Sequence, residues 1–237
     1  MAGSYDIDIG PSGRVHSEAH AVSNTGTIVG EMGDIHVAIF DSSGEGNCID
    51  LGQGYAWGVN DNQQIVGSRK DLSFDDMAFL WDEDNGMQNL GTLGGKGSRA
   101  NAINDEGVIA GSAGLPLFDS SGEGDNIDLG GDNSYALSIN DNGQIVGCSS
   151  TPSFAHTAMI FDPAGSGYNI DLNTVIDPAY SGPHLQLALD INNNGWIVGV
   201  AGEGVNSRGF LLTPIPEPSA LTLILLGDMA MTKRRKQ

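Results

Sequence analysis

One turn of this sequence carries oxygen ligands at the spacing of a calcium-binding loop. The segment Asp190-Ile191-Asn192-Asn193-Asn194-Gly195 has oxygen-bearing side chains at alternate positions and glycine at the sixth. The twelfth position of such a loop is a bidentate Glu, and here it is Ala201. Asn and Asp also favour tight turns because their side chains bond to their own backbone. The sequence therefore allows calcium at Asp190, Asn192 and Asn194, but it favours a purely structural turn. The asparagines expected to be structural in turns of this kind are Asn24, Asn60, Asn104, Asn140 and Asn192.

Two acidic loops are nearly identical to each other. They are DSSGEGN at 41–47 and DSSGEGD at 119–125, and both are flexible and rich in oxygen ligands for a hard cation. The candidate metal ligands are Asp41, Glu45, Asp119, Glu123 and Asp125. The alternative is a pair of solvated hairpin loops. No Cys-His cluster argues for zinc or iron, so Ca²⁺ is the one cofactor that the sequence suggests.

Basic and aromatic side chains concentrate in the irregular loops of the chain. Aromatic rings stack on sugar faces, and Arg binds carboxylates through paired hydrogen bonds. The combination suits an acidic extracellular polysaccharide, although loops without any ligand would look similar. The candidate ligand-binding residues are Arg69, Lys70, Phe74, Lys96, Arg99, Phe154, Tyr180 and His184.

A repeated unit spaces all these candidates along the chain. The segment YALSINDNGQIVG at 135–147 has relatives that begin at Ala19, Tyr55, Arg99 and Leu187. Each predicts a hairpin, because aliphatic residues flank a cluster of Asn, Asp and Gly. Two further pieces follow each hairpin: an apolar run such as AFLW at 78–81 and a motif such as IDLG at 49–52.

Four strands per unit and five units predict an all-β fold, a five-bladed β-propeller of four-stranded blades. The apolar runs lack polar alternation, which is typical of strands buried on both faces. An extra motif, Ile7-Asp8-Ile9-Gly10, precedes the first hairpin, and the last apolar run, at 209–212, has no such motif after it. Pairing the segment at 5–10 with the one at 209–213 would close the ring with the N-terminal strand. An open solenoid is the alternative.

The composition restricts the partners. The formal net charge is −20, and the body of the chain lacks the clustered Lys and Arg that nucleic-acid binding requires. Cys48 and Cys148 fall in units that are not adjacent, so we expect no disulfide between them.

The repeats resemble the HAF family of extracellular repeats found in bacteria. The resemblance covers residues 5–213 and is carried by the AFLW run, by LGTLGG at 90–95 and by the Ile-Asn-Asp turns. The His that this family has before Ala-Phe is Met77 here. The resemblance implies a secreted or cell-surface repeat protein and no established catalytic residues. We therefore divide the chain into a repeat domain at 1–213 and a tail at 214–237.

The tail combines a Pro-Glu-Pro motif with a basic end; these residues are Pro216, Glu217, Pro218, Lys233, Arg234, Arg235 and Lys236. In these residues it resembles a PEP-CTERM sorting signal. The resemblance implies a short apolar C-terminal helix that contacts the inner membrane transiently until an exosortase-type enzyme processes it, with the basic end in the cytoplasm. The apolar stretch at 220–231 is shorter than the ~20 residues that span a bilayer and contains Asp228. An ordinary basic-ended helix is the alternative. The chain opens without a signal peptide, so export predicts one encoded upstream.

Together these patterns predict a non-catalytic extracellular or cell-envelope protein that binds or organises polysaccharide. A glycan-acting propeller enzyme is the first alternative. The sequence disfavours it, because the first strands of the hairpins offer only Asp190 as a singular acid. A scaffold for protein partners is the second.

Overall fold

The computed structural model describes residues 9–11, 16–70, 75–92, 97–112, 116–118, 127–129, 134–150 and 156–215 of the 237-residue chain. Within these residues the fold is all-β and propeller-like, so the predicted fold class is confirmed at that level. No helix in this part of the chain is both long and apolar enough to cross a membrane.

The strands form five antiparallel sheets in chain order, four of them four-stranded and the fifth three-stranded in the described residues. The first sheet comprises β1 (Ser17–Val22), β2 (Ile28–Met32), β3 (His36–Phe40) and β4 (Ile49–Gln53). The second comprises β5 (Tyr55–Val59), β6 (Ile65–Lys70), β7 (Asp76–Asp82) and β8 (Gly86–Asn89). The third comprises β9 (Arg99–Ile103), β10 (Ile109–Ser112), β11 (Pro116–Phe118) and β12 (Ile127–Asp128). The fourth comprises β13 (Ser134–Ile139), β14 (Ile145–Ser150), β15 (His156–Phe161) and β16 (Ile170–Asp171). The fifth comprises β17 (Leu185–Ile191), β18 (Ile197–Ala201) and β19 (Arg208–Leu212). Two 3-10 helices span Leu172–Thr174 and Gly204–Asn206.

A glycine in the second strand of each sheet permits a β-bulge in the first strand. The bulge is a register shift between β13 and β14, and the other four first strands have the same shift. It pushes a first-strand carbonyl so close to the second strand that a Cβ on Gly147 would overlap the Tyr135 oxygen. Gly30, Gly67 and Gly199 meet the corresponding carbonyls in their own sheets. The repeated Ile-Val-Gly of the sequence is therefore a requirement of the bulge.

Successive sheets pack face to face through apolar side chains. Between the second and third sheets, Val66, Leu80 and Leu90 bury against Ala100 and Ile109. A leucine in or directly after the fourth strand recurs at each such interface. These leucines are Leu51, Leu90, Leu129 and Leu172. The interfaces supply the hydrophobic stabilisation that an isolated sheet lacks.

The fifth sheet exposes apolar side chains on the face that, in the second sheet, packs against the following sheet. Val198 and Leu211 are 43% and 55% exposed, whereas Val66 and Leu80 at the same places of the second sheet are buried. The N-terminal strand predicted to cover this region falls at 5–10, of which the structure describes only Ile9 and Gly10. The predicted C-terminal helix lies outside the described residues. Closure into five blades therefore stays a prediction.

Candidate binding site in the central channel

Hydrogen-bonded turns hold the five sheets around a common centre. Each turn joins the first two strands of a sheet. The buried Asn60 accepts hydrogen bonds from the backbone amides of Asn62 and Gln64 and donates its Nδ2 to the carbonyl of Asn104 in the next sheet, at 2.9 Å. Asn104 and Asn140 likewise donate to the following turn. The predicted structural role is thus confirmed for these asparagines.

The first turn departs from that prediction. Ser23, not Asn24, occupies the corresponding place, because its hydroxyl oxygen accepts the amide of Thr27 at 3.1 Å. Asn24 instead donates its Nδ2 to Asp61 of the next turn at 3.2 Å. A serine hydroxyl can accept the same local backbone bond as an asparagine amide oxygen, so residue type alone misaligned the first turn.

Carboxylates tie each turn to the turn before it. Asp61, Asp105 and Asp141 accept hydrogen bonds from backbone amides of the preceding turn, at 3.3, 2.8 and 3.0 Å. In the last step the amide of Asp141 donates to the side-chain oxygen of Asn193 at 2.9 Å. These acids act as structural acceptors of the ladder.

A channel of about 570 Å³ lies between the first strands of the five sheets. Each first strand bulges at the same position, and the bulged residues all line the channel. They are His20, Trp57, Asn101, Leu137 and Leu189. A bulge re-aims the side chain of its extra residue. The residue before each bulged residue is alanine in every unit, as in the buried Ala56. The alanine therefore repeats, whereas the residue that lines the channel varies.

Aromatic rings stack at this row of bulged residues: His20 and Trp57 belong to it, and Tyr55 lies two residues before Trp57 in β5. The ring centroids of His20 and Trp57 are 4.7 Å apart and nearly parallel, and those of Tyr55 and Trp57 are 5.5 Å apart. The guanidinium carbon of Arg99 lies 5.1 Å from the centre of the Trp57 ring, within the range of a cation–π contact. Two bonds position these rings: Trp57 donates its Nε1 to Ser68 at 3.3 Å, and His20 donates its Nδ1 to the carbonyl of Ala56 at 2.8 Å.

A charged cleft of about 440 Å³ adjoins the channel, and Asn101 and Leu137 line both. Within it Lys70 pairs with Asp76 at 2.9 Å, and Arg99 lies 4.0 Å from the same carboxylate. The structure thus brings together two residues that the sequence predicted for ligand binding. We call the group of Tyr55, Trp57, Lys70, Asp76 and Arg99 the channel mouth.

The other predicted ligand-binding residues lie elsewhere. Arg69 is in β6 opposite Met77. Tyr180 donates its hydroxyl to the carbonyl of Pro183 at 2.8 Å, and His184 Nε2 lies 3.2 Å from the hydroxyl of Thr157, both beside the fourth and fifth sheets. Phe74, Lys96 and Phe154 fall outside the described residues.

Sequence reasoning missed the core of the channel mouth. It treated Tyr55 and Trp57 as ordinary strand residues of a repeat. The available signal was the contrast between invariant alanines and the variable residue beside them, although the bulge that re-aims this residue is visible only in the strand pairing.

The predicted calcium ligands already accept hydrogen bonds from their own loops where they are described. Asp41 accepts from the hydroxyl and the amide of Ser43 at 2.6 and 2.8 Å, and these bonds lower the pKa of its carboxyl from the ordinary value. Glu45 lies 3.5 Å from the side-chain nitrogen of Asn47. Asp119, Glu123 and Asp125 fall outside the described residues. Calcium binding at these loops stays a prediction.

In the calcium-like turn of the fifth sheet, the predicted ligands Asp190 and Asn192 also already accept hydrogen bonds from protein groups. Asp190 accepts a hydrogen bond from the hydroxyl of Ser138 at 2.7 Å and one from the amide of Ile191 at 2.9 Å. Asn192 accepts the amides of Asn194 and Trp196, both at 3.0 Å. The bonds of Asn192 are those of a tight turn, whereas the bond between Ser138 and Asp190 joins the fourth and fifth sheets.

Cys48 and Cys148 are free thiols, and burial raises the pKa of Cys148 to about 11. The sorting-signal residues of the tail lie outside the described residues. No protein-family model matches this chain, and no curated protein is significantly similar to it. The function is therefore argued from the geometry of the channel mouth.

Proposed function

We propose that this protein is a non-catalytic, secreted or cell-surface repeat protein that binds extracellular polysaccharide at the channel mouth. The observation that carries the proposal is the column of His20, Trp57 and Tyr55 with Arg99 against it. Partly exposed rings of this kind offer apolar faces for sugars, and they are held rigidly by neighbouring groups.

The charges around the rings favour an acidic polymer. Lys70 and Arg99 share Asp76, so a uronate carboxylate could replace one half of that pairing and retain a charge-assisted hydrogen bond. The cleft lining holds these two cations and the carboxylates of Asp75 and Asp76, so it is about neutral in a chain of net charge −20. An anionic chain would meet less repulsion at this mouth than on the rest of the surface.

The acids of the channel support binding over hydrolysis. A glycosidase uses two carboxyl groups about 5–10 Å apart on either side of the scissile bond. Asp61, Asp105 and Asp141 are engaged as acceptors within the turn ladder. Asp190 lies beside Ser138. The residues at the same place in the five first strands are Ala21, Gly58, Ala102, Ser138 and Asp190, so this set contains no second acid. Within the channel, a glycan-acting enzyme would need its acid pair to come from these groups; in the adjoining cleft, Asp75 and Asp76 are neighbours in the chain and Asp76 is paired with Lys70.

We also propose that the ring closes as five blades through the N-terminal strand. Ile9 packs on the rear face of the first sheet near Phe40, as Leu129 packs on the fourth sheet. Its carbonyl accepts the thiol of Cys48 at 3.3 Å, just as the carbonyl of Leu129 accepts the Nδ2 of Asn169 at 2.8 Å. These contacts support a place for Ile9 in a blade that precedes the first sheet, and among the described residues the fifth sheet has three strands.

Deleting residues 1–10 tests this closure by thermal melting. We expect a lower melting temperature, because the fifth sheet loses its fourth strand and its exposed Val198 and Leu211 lose their cover. Deleting residues 216–237 is the matched control and should leave the melt unchanged. Equal melting of the full chain and the N-terminal deletion would rule out closure.

The C-terminal tail supports localisation to the cell envelope in this proposal. Its similarity to a PEP-CTERM signal fits a short C-terminal helix processed by an exosortase-type enzyme after export. Intact-mass measurement of the native protein tests this point. Processing predicts a mature form without residues 233–236, and a full-length tail on protein from the cell surface would contradict it.

Binding is tested with a panel of neutral and uronate-containing polysaccharides, measuring both affinity and release of products. We expect saturable binding without products. Trp57→Ala should weaken it by about 2 kcal/mol or more, roughly 30-fold, as expected of a central aromatic contact. Arg99→Ala should weaken only uronate binding. The matched control is Tyr168→Ala, since Tyr168 is 82% exposed and distant from the channel.

Three outcomes would contradict the proposal. They are the absence of binding across the panel, equal losses in Trp57→Ala and Tyr168→Ala, and catalytic release of products. The last would favour the glycan-acting alternative. Circular dichroism of each variant separates lost contacts from lost folding.

A further inference from the structure

We propose a divalent-metal site at His16, Glu18 and Glu31, where the first strand of the first sheet enters the channel end that carries Tyr55. The Nε2 of His16 lies 3.5 Å from Glu18 Oε1 and 3.5 Å from Glu31 Oε1. The three candidate ligand atoms all fall within 4.8 Å of one another. The site neither uses nor requires polysaccharide binding.

The strand register sets two carboxylates against each other. Glu18 and Glu31 are direct partners across β1 and β2, and like charges in that position repel. Glu31 is only 9% exposed, and its Oε2 is buried with no hydrogen-bond partner among the described residues. A buried carboxylate oxygen in this state is costly unless a cation neutralises it. The pairing therefore points to a positive ligand between the strands.

The spacing fits a small transition-metal ion. Zn²⁺ binds His nitrogen and carboxylate oxygen at about 2.0–2.2 Å, so ligand atoms at a tetrahedral angle stand roughly 3.3–3.6 Å apart. The two His16 distances of 3.5 Å match this separation. A nitrogen with two carboxylates suits Zn²⁺ or Mn²⁺, whereas Ca²⁺ takes six to eight oxygens. His16 and Glu18 are both exposed, which leaves room for a water ligand.

A second imidazole stands on the other side of Glu18. His20 donates its Nδ1 to the carbonyl of Ala56, which can only accept. Its other ring nitrogen, Nε2, faces Glu18 Oε2 at 3.4 Å. His20 is thus a positioning residue for the carboxylate, as outer partners of metal ligands commonly are.

Calorimetric titration of the chelator-treated full chain with ZnCl₂, and then with MnCl₂, tests the site. We expect one saturable site in about 0.15 M salt, where the diffuse attraction of a charge of −20 is largely screened. Excess Mg²⁺ in the buffer suppresses the remaining nonspecific binding. His16→Ala and Glu31→Gln should each weaken binding at least ~10-fold, since loss even of outer partners costs that much.

The matched control is His36→Ala. His36 also faces a carboxylate, Asp50, at 3.0 Å, but among the described residues it is not part of a three-ligand group. Its replacement should leave metal affinity unchanged. Added metal should raise the melting temperature of the wild type and of His36→Ala, and not that of His16→Ala.

Absence of a saturable site would overturn the proposal, and so would binding that His16→Ala leaves intact. Equal losses in His16→Ala and His36→Ala would also overturn it, because they would indicate diffuse binding. If Glu31→Gln fails to fold, His16→Ala decides the question, since His16 is exposed and its loss removes little packing. Failure of polysaccharide binding would leave all these outcomes unaffected.

Discussion

Replacing Asn140 by Ala should be among the most destabilising single changes in the turns, alongside Asn60, which makes the same set of bonds in the second turn. Asn140 is only 3% exposed and makes four hydrogen bonds. Its Nδ2 donates to Gln144 Oε1 at 2.8 Å and to the carbonyl of Asn192 at 2.9 Å. Its Oδ1 accepts the amides of Asn142 and Gln144 at 3.1 and 2.9 Å. The residue therefore joins its own turn and links the fourth sheet to the fifth.

The expected loss follows from these bonds. Four bonds at about 1 kcal/mol each give roughly 4 kcal/mol as an upper value. Asn142 and Gln144 are exposed and can exchange part of their lost bonds for water. We therefore expect Asn140→Ala to lower the free energy of unfolding by about 2–3 kcal/mol.

Urea denaturation measures the loss, with an unchanged m-value as the check that unfolding remains two-state. Asn142→Ala is the matched control from the same turn: Asn142 is exposed and donates one side-chain bond, to the carbonyl of Asn193 at 2.9 Å. It should cost under about 1 kcal/mol. Asn140→Asp keeps the acceptor of the turn and loses both donors, so it isolates the link between sheets. Equal losses in Asn140→Ala and Asn142→Ala would refute the reasoning.

Two further predictions concern a glycine and a carboxylate. Gly147→Ala should lower the free energy of unfolding by more than about 3 kcal/mol or prevent folding, because its Cβ would overlap the Tyr135 carbonyl. The control Gly143→Ala, with open space around a φ of +73°, should lower it by only about 1–2 kcal/mol. Similar melting of the two variants would contradict the bulge argument. Ser43→Ala should raise the pKa of Asp41 toward its ordinary value of 3.8, because the Ser43 hydroxyl stabilises the carboxylate. Since folding lowers this pKa, the contribution of Asp41 to stability is present above 3.8 and is lost as the pH falls through the lower folded value. NMR titration of the Asp41 carboxyl carbon reports both values, and an unchanged pKa in Ser43→Ala would exclude the hydroxyl as the cause.

Local features of this protein were predictable from the amino-acid sequence. The hairpins follow from aliphatic residues around Asn, Asp and Gly, since a tight turn depends on only a few neighbouring residues. The apolar run at 78–81 correctly indicated a strand buried on both faces, whereas Leu211 in the run at 209–212 is exposed. The structural role of Asn60, Asn104 and Asn140 was predictable for the same reason, and the misassigned Asn24 shows where residue type alone misleads.

The tertiary structure decided which side chains meet. Trp57 and Arg99 are 42 positions apart in the sequence numbering and come from different sheets, so only the packing of successive sheets places them together. The bulge that turns Trp57 into the channel depends on the register of β5 against β6. Likewise, Glu18 and Glu31 face each other because β1 pairs with β2 in one register, and a slip of one residue would send one of them to the opposite face. Turn chemistry acts over a few bonds of the chain, whereas these sites depend on contacts that exist only after the sheets have formed and packed.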